Sequence, residues 1–180
     1  MPDRRPSWDD YYSNIAWVVS TRANCVRRKV GAIIVMEKRI VSTGYNGTPF
    51  GVMNCDEGGC PRCASDLPSK IGLEWCLCVH AEENAIALAA RQGTATDGAS
   101  VYVTSRPCFG CLKALVQAGI REIVYDQPYD YDAELEATYQ SLLRQSGVQM
   151  RRHTYSATHT LPPFAAPALL AAIPEPPPER

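Results

Sequence analysis

Residues 80–125 read HAEENAIALAARQGTATDGASVYVTSRPCFGCLKALVQAGIREIVY, and this stretch alternates twice between a helix pattern and a strand pattern. The alanine-rich run His80–Gln92 contains no helix breaker and favours a helix. Val101–Thr104 has the composition of a strand, Cys108–Ala118 predicts a second helix, and Arg121–Tyr125 predicts a second strand. Because helices alternate with strands, the stretch predicts an α/β domain in which helices cover a sheet.

The flanking sequence continues this pattern on both sides. Ser7 and Asp10 resemble a capping box that opens a first helix, whose helical spacing continues to Arg22. The remaining predicted elements are a hairpin of Val30–Met36 and Ile40–Tyr45, a helix over residues 132–146 and a strand at Val148–Arg152. Together these elements predict a central sheet with helices packed against it.

Length and charge limit the class of protein. The chain has 180 residues, which fits one domain, and a formal net charge of −1. That charge argues against a protein held to nucleic acid mainly by bulk electrostatics. No apolar run approaches the roughly 20 residues that a membrane-spanning helix needs. The opening residues, MPDRRPSWDDYYSN, contain no apolar signal-peptide core, so we expect a cytoplasmic protein without membrane contact.

Composition divides the chain into a domain over residues 1–155 and a tail over residues 156–180. Seven of the 14 prolines fall in the tail. Because proline removes backbone donors and blocks helices, we expect the tail to be flexible. Residues 46–78 are rich in Gly, Pro and Cys without a helix or strand period, and they predict a long structureless loop. A loop this long needs a source of order, and bound metal is one.

Two short motifs carry the chemistry: HAE at residues 80–82 and PCFGC at residues 107–111. Two cysteines separated by two residues at a helix start can reach one metal ion, and His80 at another helix start can supply a third ligand. Three protein ligands on zinc leave the fourth position to water, as in catalytic sites. Glu82 can face that water and accept its proton without being a ligand. Either motif alone is weak evidence, but together they predict a catalytic zinc site.

The two motifs have the form H-x-E followed by P-C-x-x-C, the signature of zinc-dependent nucleobase deaminases. The chain resembles the cytidine and deoxycytidylate deaminase superfamily, and within it the deoxycytidylate (dCMP) deaminases, from about Trp8 to about Arg152. The segments that carry the resemblance are VGAIIVMEKRIVSTGYNGTPFG, HAEENAI, DGASVYVTSRPCFGCLKALVQAGI and VYDQPYDYD. The resemblance implies a three-layer α/β/α sandwich around a mixed five-stranded sheet.

The resemblance also implies a reaction. A catalytic zinc would be held by His80, Cys108 and Cys111. Glu82 would carry a proton from the water on that zinc to N3 of the cytosine ring and then help ammonia leave C4. The product would be dUMP, a precursor of thymidylate. The implied substrate contacts are the side chain of Asn46, the backbone near Ala81, and Tyr129.

Several of these assignments have alternatives. Asn46 belongs to an Asn-Gly pair, which favours turns in any case, and Tyr129 equally fits a surface or interface aromatic. The substrate could instead be free cytidine or deoxycytidine, or a base in a nucleic acid. A non-enzymatic zinc module that binds nucleic acid is the alternative from another class. The near-neutral charge and only three phenylalanines argue against a nucleic-acid partner.

Six cysteines lie outside the catalytic motifs, and four of them can hold a structural zinc. Some dCMP deaminases carry such an ion, and the resemblance matches Cys25, Cys55 and Cys78 to three of its ligands. The fourth ligand in that pattern is a loop histidine, which this loop lacks, so Cys60 or Cys63 would replace it. Buried free thiols are another alternative. A competing set, spaced like a zinc knuckle, consists of Cys60, Cys63, Cys76 and Cys78.

Regulation and assembly are further implications of the resemblance. In regulated dCMP deaminases, dCTP activates and dTTP inhibits a hexamer, and such an effector would bring Mg²⁺ with it. Leu88 and Arg91 match regulatory or subunit-contact positions, although Leu88 replaces the phenylalanine of some regulated members and fits ordinary helix packing as well. We therefore expect a homo-oligomer that binds a small nucleotide. A basic cluster, open to phosphate binding or to plain solvation, consists of Arg22, Arg27, Arg28 and Lys29.

Overall fold

A mixed five-stranded sheet forms the centre of the computed structural model, which describes residues 5–155. Its spatial order is β2-β1-β3-β4-β5. In chain order the strands are β1 (Gly31–Met36), β2 (Arg39–Tyr45), β3 (Ser100–Ser105), β4 (Glu122–Gln127) and β5 (Gln149–Arg152). β1 pairs antiparallel with β2 and with β3, whereas β3, β4 and β5 run parallel. The mixed sheet is therefore confirmed, and the predicted flexible tail, residues 156–180, lies outside the described residues.

Helices cover both faces of the sheet, but unequally. These helices are α1 (Trp8–Ser20), α3 (Ala81–Arg91), α4 (Phe109–Gln117) and α5 (Ala133–Ser146), while the short α2 (Pro61–Ala64) lies within the long loop. α1 packs on one face, where Tyr12 belongs to one cluster with Ile33 and Val124. α3, α4 and α5 contribute Ala85, Leu112 and Tyr139 to the core on the other face. The expected three-layer α/β/α arrangement is confirmed.

The central strand β1 shows how the sheet acquires two buried faces. Ala32 and Ile34 belong to the core beneath α3, α4 and α5, whereas Ile33 and Val35 belong to the cluster beneath α1. The alternation follows the two-residue period of a strand, and burial on both faces explains the continuous apolar run VGAIIVM. Each isoleucine buried in this way contributes about 1.5–3 kcal/mol to stability.

A glycine in β2 sets how closely α3 approaches the sheet. A Cβ added at Gly44 would lie 2.1 Å from the carbonyl oxygen of Ala81, which is far below a normal contact. Only glycine therefore allows the first turn of α3 to pack directly on β2. Ser42 strengthens the same contact because its hydroxyl donates to the carbonyl oxygen of Ala85 at 2.6 Å. These contacts fix the position of the α3 N-terminus.

The prediction of a structureless loop over residues 46–78 is wrong. Besides α2, the loop contains short 3-10 turns at Cys55–Glu57 and Leu73–Trp75. A single β-bridge between Gly47 and Val79 closes it at its base. Turns of three or four residues carry no hydrophobic period, so the sequence pattern could not reveal them.

The first helix is shorter than its spacing predicts. It begins after the Ser7 cap, whose side chain accepts from the backbone N–H of Asp10, as expected. It ends at Ser20 and does not reach Arg22. The hydroxyl of Thr21 donates to the carbonyl oxygen of Val18, which completes the last turn. None of the helices within residues 5–155 is long and apolar enough to cross a membrane.

Candidate active site

Three metal-ligating side chains meet where two helices begin. His80 is the N-cap of α3, Cys108 is the N-cap of α4, and Cys111 lies in the first turn of α4. The Nδ1 atom of His80 lies 3.3 Å from the Sγ atom of Cys108 and 3.3 Å from that of Cys111. Their potential ligand atoms all lie within 4.8 Å of one another. One nitrogen and two sulfurs at this spacing suit zinc and leave a fourth position free, so the residues fit the metal. We call this group the active-site triad.

The members of the active-site triad shift one another's pKa. Hydrogen bonds from Cys111 and His80 lower the pKa of the Cys108 thiol to about 4. The hydrogen bond with Cys108 raises the pKa of His80 to about 9, and the interaction with Cys108 also raises the pKa of Cys111. The site thus favours a thiolate beside a positive charge. A metal cation can take the place of the protons that the three groups share.

Glu82 lies beside the active-site triad in the first turn of α3. Its side chain is only 4% exposed. Burial raises the pKa of this carboxyl group to about 7, because a charged carboxylate loses its hydration. A carboxyl group with a pKa near neutrality can both accept and donate a proton at physiological pH. Ala81, between His80 and Glu82, is fully buried against the sheet.

Asn46 joins the base of the long loop to the start of β1. Its side-chain oxygen accepts from the backbone N–H of Val30 at 2.7 Å, and its amide group donates to the carbonyl oxygen of Arg28 at 2.7 Å. An amide side chain has two N–H donors and two acceptor sites, so these two bonds use half of its capacity. Asn46 can therefore stabilise the backbone here, as a turn residue does, and still contact a bound ligand.

Tyr129 lies between two basic side chains on the same side of the molecule as the triad. The guanidinium carbon of Arg28 lies 6.0 Å from its ring centroid, and the Lys70 Nζ atom lies 5.0 Å from it. The charge of a Cys108 thiolate also contributes to the raised pKa of Tyr129, after the larger contribution of burial. We call Tyr129, Arg28 and Lys70 the basic rim.

Sequence reasoning missed three residues that organise this region. Lys70 reaches across from the loop, and its Nζ atom donates to the carbonyl oxygen of Asp130 at 2.6 Å. The Tyr131 hydroxyl accepts from the backbone N–H of Phe109 at 2.7 Å and so fixes the start of α4. Arg106 forms a two-pronged ion pair with Glu136. Lys70 gives no signal in the sequence because its contacts are all distant, whereas Tyr131 lies in the quoted VYDQPYDYD segment.

The predicted basic cluster does not act as one patch. Only Arg28 joins the basic rim. Arg27 instead donates to the carbonyl oxygens of Cys63 and Ser65 and holds the cysteine loop. Arg22 and Lys29 are exposed, as is Arg91 at the end of α3, while Leu88 is half-buried on the same helix.

The six other cysteines converge in a second place. Two groups of four have their Sγ atoms within 4.8 Å of one another, and both contain Cys63 and Cys78. The first group adds Cys25 and Cys55, and the second adds Cys60 and Cys76. Both sets that the sequence offered as competitors are therefore assembled at once. We call these six residues the cysteine cluster.

Comparison with known proteins assigns the fold and the site to a family. The family model for the cytidine and deoxycytidylate deaminase zinc-binding region matches residues 6–127. The chain belongs to the cytidine and deoxycytidylate deaminase family. The match contains the active-site triad, Glu82 and the whole cysteine cluster, and it ends with β4, before Tyr129.

Several relatives of this chain carry the name deoxycytidylate deaminase. A deoxycytidylate deaminase of Schizosaccharomyces pombe is 44% identical over 153 residues, which cover 84% of this chain and 46% of the relative. One from Saccharomyces cerevisiae is 43% identical over 86% of this chain and 47% of the relative. The chain thus spans about half the length of these two proteins. One from Mycobacterium phage D29 is 39% identical over 67% of this chain and 95% of the relative.

A solved structure of the family supports the same comparison. The dCMP deaminase of cyanophage S-TIM5, crystallised in complex with dCMP and dUMP, superposes with a TM-score of 0.64 at 29% identity. The match covers 83% of this chain and 98% of that chain. The agreement extends over nearly the whole phage protein, so the deaminase domain of the family accounts for the described fold.

Proposed function

We propose that this protein deaminates dCMP to dUMP and ammonia with the help of zinc. The observation that carries the proposal is the active-site triad with the buried carboxyl group of Glu82 beside it. The repeated name of the relatives and the nucleotides bound to the cyanophage enzyme support dCMP as the substrate. Because the two yeast relatives are about twice as long, the activity assigned to this chain is a proposal about its own residues.

Each residue of the site has a part in this proposal. His80, Cys108 and Cys111 hold the catalytic zinc, which when bound supplies Lewis acidity that lowers the pKa of water toward neutrality. Glu82 accepts a proton from the attacking water and delivers it to N3 of the cytosine ring. It then takes the second proton of that water from the hydroxyl group on C4 and donates it to the departing amino group, so that ammonia leaves as the C4 carbonyl forms. Its burial keeps bulk water away from this proton path.

The remaining contacts position the substrate. The backbone near Ala81 meets the base edge, and Asn46 offers its unused hydrogen-bonding capacity to the nucleotide. Tyr129 packs against the substrate, while Arg28 and Lys70 attract its phosphate group. A phosphate contact of this kind favours a nucleotide over a nucleoside. The basic rim is the observation that ranks dCMP above free deoxycytidine.

Several properties accompany the catalytic proposal. We expect a second, structural zinc site in the cysteine cluster, and Mg²⁺ only together with a nucleotide effector. A homo-oligomer, a hexamer by family resemblance, is supported by apolar side chains exposed on the long loop, among them Phe50 at 98% and Met53 at 62%. dCTP and dTTP are the expected effectors, with Leu88 and Arg91 at the regulatory or subunit contact. We propose a cytoplasmic location.

The test is ammonia release from four substrates by the purified protein. We expect dCMP to react far faster than deoxycytidine, cytidine or a single-stranded oligonucleotide. Equal rates on dCMP and deoxycytidine would contradict the assignment to nucleotides, and a preference for the oligonucleotide would favour the nucleic-acid alternative. Repeating the assay with dCTP and with dTTP tests the effectors.

A further inference from the structure

The cysteine cluster contains more ligands than one zinc ion can use. Zinc in structural sites is bound by four ligands, and two separate sites would need eight thiolates. The cluster has six, yet two complete groups of four can be drawn from it because Cys63 and Cys78 belong to both. We propose that the cluster holds two zinc ions, which share the thiolates of Cys63 and Cys78 as bridging ligands. This proposal extends the structural zinc site above and does not depend on the deaminase activity.

The spacing of the sulfur atoms fits this arrangement. Four thiolates placed tetrahedrally at about 2.3 Å from zinc lie about 3.8 Å from one another. The Sγ atoms of Cys60 and Cys76 lie 3.8 Å apart, as do those of Cys63 and Cys76. The Cys25–Cys63 distance is 3.9 Å. The shared edge between Cys63 and Cys78 also measures 3.9 Å. Disulfide bonds would bring sulfur atoms to about 2 Å, so the described cysteines are unpaired.

Apart from hydrogen bonds such as those of Arg27 and Arg62, the loop has little to order it. Within residues 5–155, its apolar cluster consists of five buried cysteines with the partly buried Cys76 packed against them. The large apolar side chains of the same segment point outward, with Leu73 47% exposed and Trp75 43% exposed. Six thiols bury little apolar surface, and single turns such as α2 do not persist without a partner. Metal–thiolate bonds supply the missing stabilisation.

The surroundings of the cluster suit a group of negative charge. Six thiolates and two zinc ions have a net charge of about −2. Arg62 is only 3% exposed, and its guanidinium group donates hydrogen bonds to the carbonyl oxygens of Pro68 and Ile71. No carboxylate within residues 5–155 forms an ion pair with it. Arg62 adjoins Cys63 in the chain, so the segment that would carry the negative charge of the cluster also contains a buried positive charge.

Backbone groups also point at the sulfur atoms. The N–H of Leu77 donates to the Cys60 Sγ atom at 3.4 Å. Such N–H···S bonds stabilise thiolates that already share their charge with a metal, as outer contacts do at other metal sites. The cluster therefore presents both the ligands and the supporting hydrogen bonds of a metal centre.

The decisive experiment is ¹¹³Cd NMR of the full chain after zinc has been replaced with ¹¹³Cd²⁺ under a phosphine reductant. A scalar coupling between two cadmium nuclei requires a sulfur atom that is bonded to both. We expect three signals: two from the cysteine cluster, coupled to each other, and an uncoupled one from the active-site triad. Two uncoupled signals from the cysteine cluster, or only one signal from it, would overturn the proposal that Cys63 and Cys78 bridge two ions.

Metal analysis of variants provides a second test. The unaltered protein should contain three zinc ions per chain, and a content of two or of one would contradict the binuclear cluster. Cys25→Ser and Cys60→Ser each remove a ligand of one ion only, so each should lose one zinc. Cys63→Ser removes a ligand of both ions and should lose two. Retention of one cluster ion in Cys63→Ser would refute the bridging role, and the NMR result on the unaltered chain stands even if a variant fails to fold.

Discussion

The active-site triad and the cysteine cluster are built in opposite ways. The triad occupies the first turns of α3 and α4, two helices whose cores are packed on the sheet. In the cysteine cluster, Cys55 and Cys63 belong to turns of three or four residues, and the other four cysteines lie outside helices and strands. Within residues 5–155, the cluster contains no other buried apolar side chains. The helices therefore hold the triad in place without metal, whereas under our proposal the cluster depends on metal for its shape. In that proposal, zinc occupies a preformed site in one region and orders the chain in the other.

Removal of metal should reveal the largest difference in stability between the triad and the cysteine cluster. Structural zinc contributes about 10–16 kcal/mol of apparent binding energy in small domains. After chelation we expect amide protons of residues 52–78 to lose nearly all protection from hydrogen exchange, while those of β1, β3 and the cores of α3 and α4 keep theirs. Exchange measured by mass spectrometry tests this. A uniform loss of protection over the whole domain would contradict the difference between the triad and the cysteine cluster.

Substitution of the buried carboxyl group should affect chemistry alone. Because general acid–base catalysis contributes about 10²–10⁴-fold, Glu82→Gln should lower kcat by that factor. Its zinc content and its unfolding transition should stay unchanged, since Gln has nearly the same shape. Glu134→Gln, at the first turn of α5 and exposed, is the matched control and should keep full activity. Turnover retained by Glu82→Gln would exclude this residue as the proton carrier.

A pair of glycine substitutions tests whether the sheet positions the triad. A Cβ at Gly44 would meet the Ala81 carbonyl oxygen at 2.1 Å, and one at Gly31 would meet the Ala16 carbonyl oxygen at 2.2 Å on the opposite face. Overpacking of this kind costs about 1–3 kcal/mol, so urea unfolding should show a similar loss for both variants.

Only one variant of this pair should disturb the metal. Gly44→Ala displaces the first turn of α3, so the zinc of the triad should be lost to a competing chelator more readily than in the unaltered protein. Gly31→Ala displaces α1 and should leave that affinity unchanged. Equal affinities in the two variants would show that the triad adjusts independently of the sheet.

The basic rim should have the smallest effect. A hydrogen bond to a charged group contributes about 1.5–3 kcal/mol, and solvent screening places the exposed Arg28 at the lower end, so Arg28→Gln should raise KM for dCMP by roughly 10-fold. It should leave KM for deoxycytidine unchanged, because the nucleoside has no phosphate group. Arg22→Gln, which removes an exposed charge outside the rim, is the control. An equal rise in KM for dCMP and for deoxycytidine would show that Arg28 does not contact the phosphate group.

Local patterns explain why much of the fold was predictable. The continuous apolar run of β1 follows from burial on both faces, and the Ser7 cap follows from its side-chain bond to the backbone of Asp10. The spacing of the HAE and PCFGC motifs also places three ligands at two helix starts, because the intervening β3 returns the chain to the same edge of the sheet. Such features can be predicted because they depend on residues close together in the sequence, or on helices joined by a single strand.

The missed features depend on contacts between distant residues. Lys70 meets Asp130 across 60 positions, and Arg27 meets Cys63 across 36. The spacing of the cysteines allowed two competing sets, but spacing cannot show that both form together and share Cys63 and Cys78. The turns of the loop escaped prediction because segments of three or four residues carry no hydrophobic period.

The β-bridge between Gly47 and Val79 has a consequence for protein engineering. Val79 alone separates Cys78 of the cysteine cluster from His80 of the triad. In an extended segment, one inserted residue turns every later side chain to the opposite side, so an insertion here would displace either Cys78 from the cysteine cluster or His80 from the triad. The turn after α3 is different, because Gln92 and Ala95 are exposed there, although Gly93 itself must stay glycine since its φ is 65°. Fusion tags and fluorescent labels therefore belong near Gly93, and the Cys78–His80 segment is where chain length must not change.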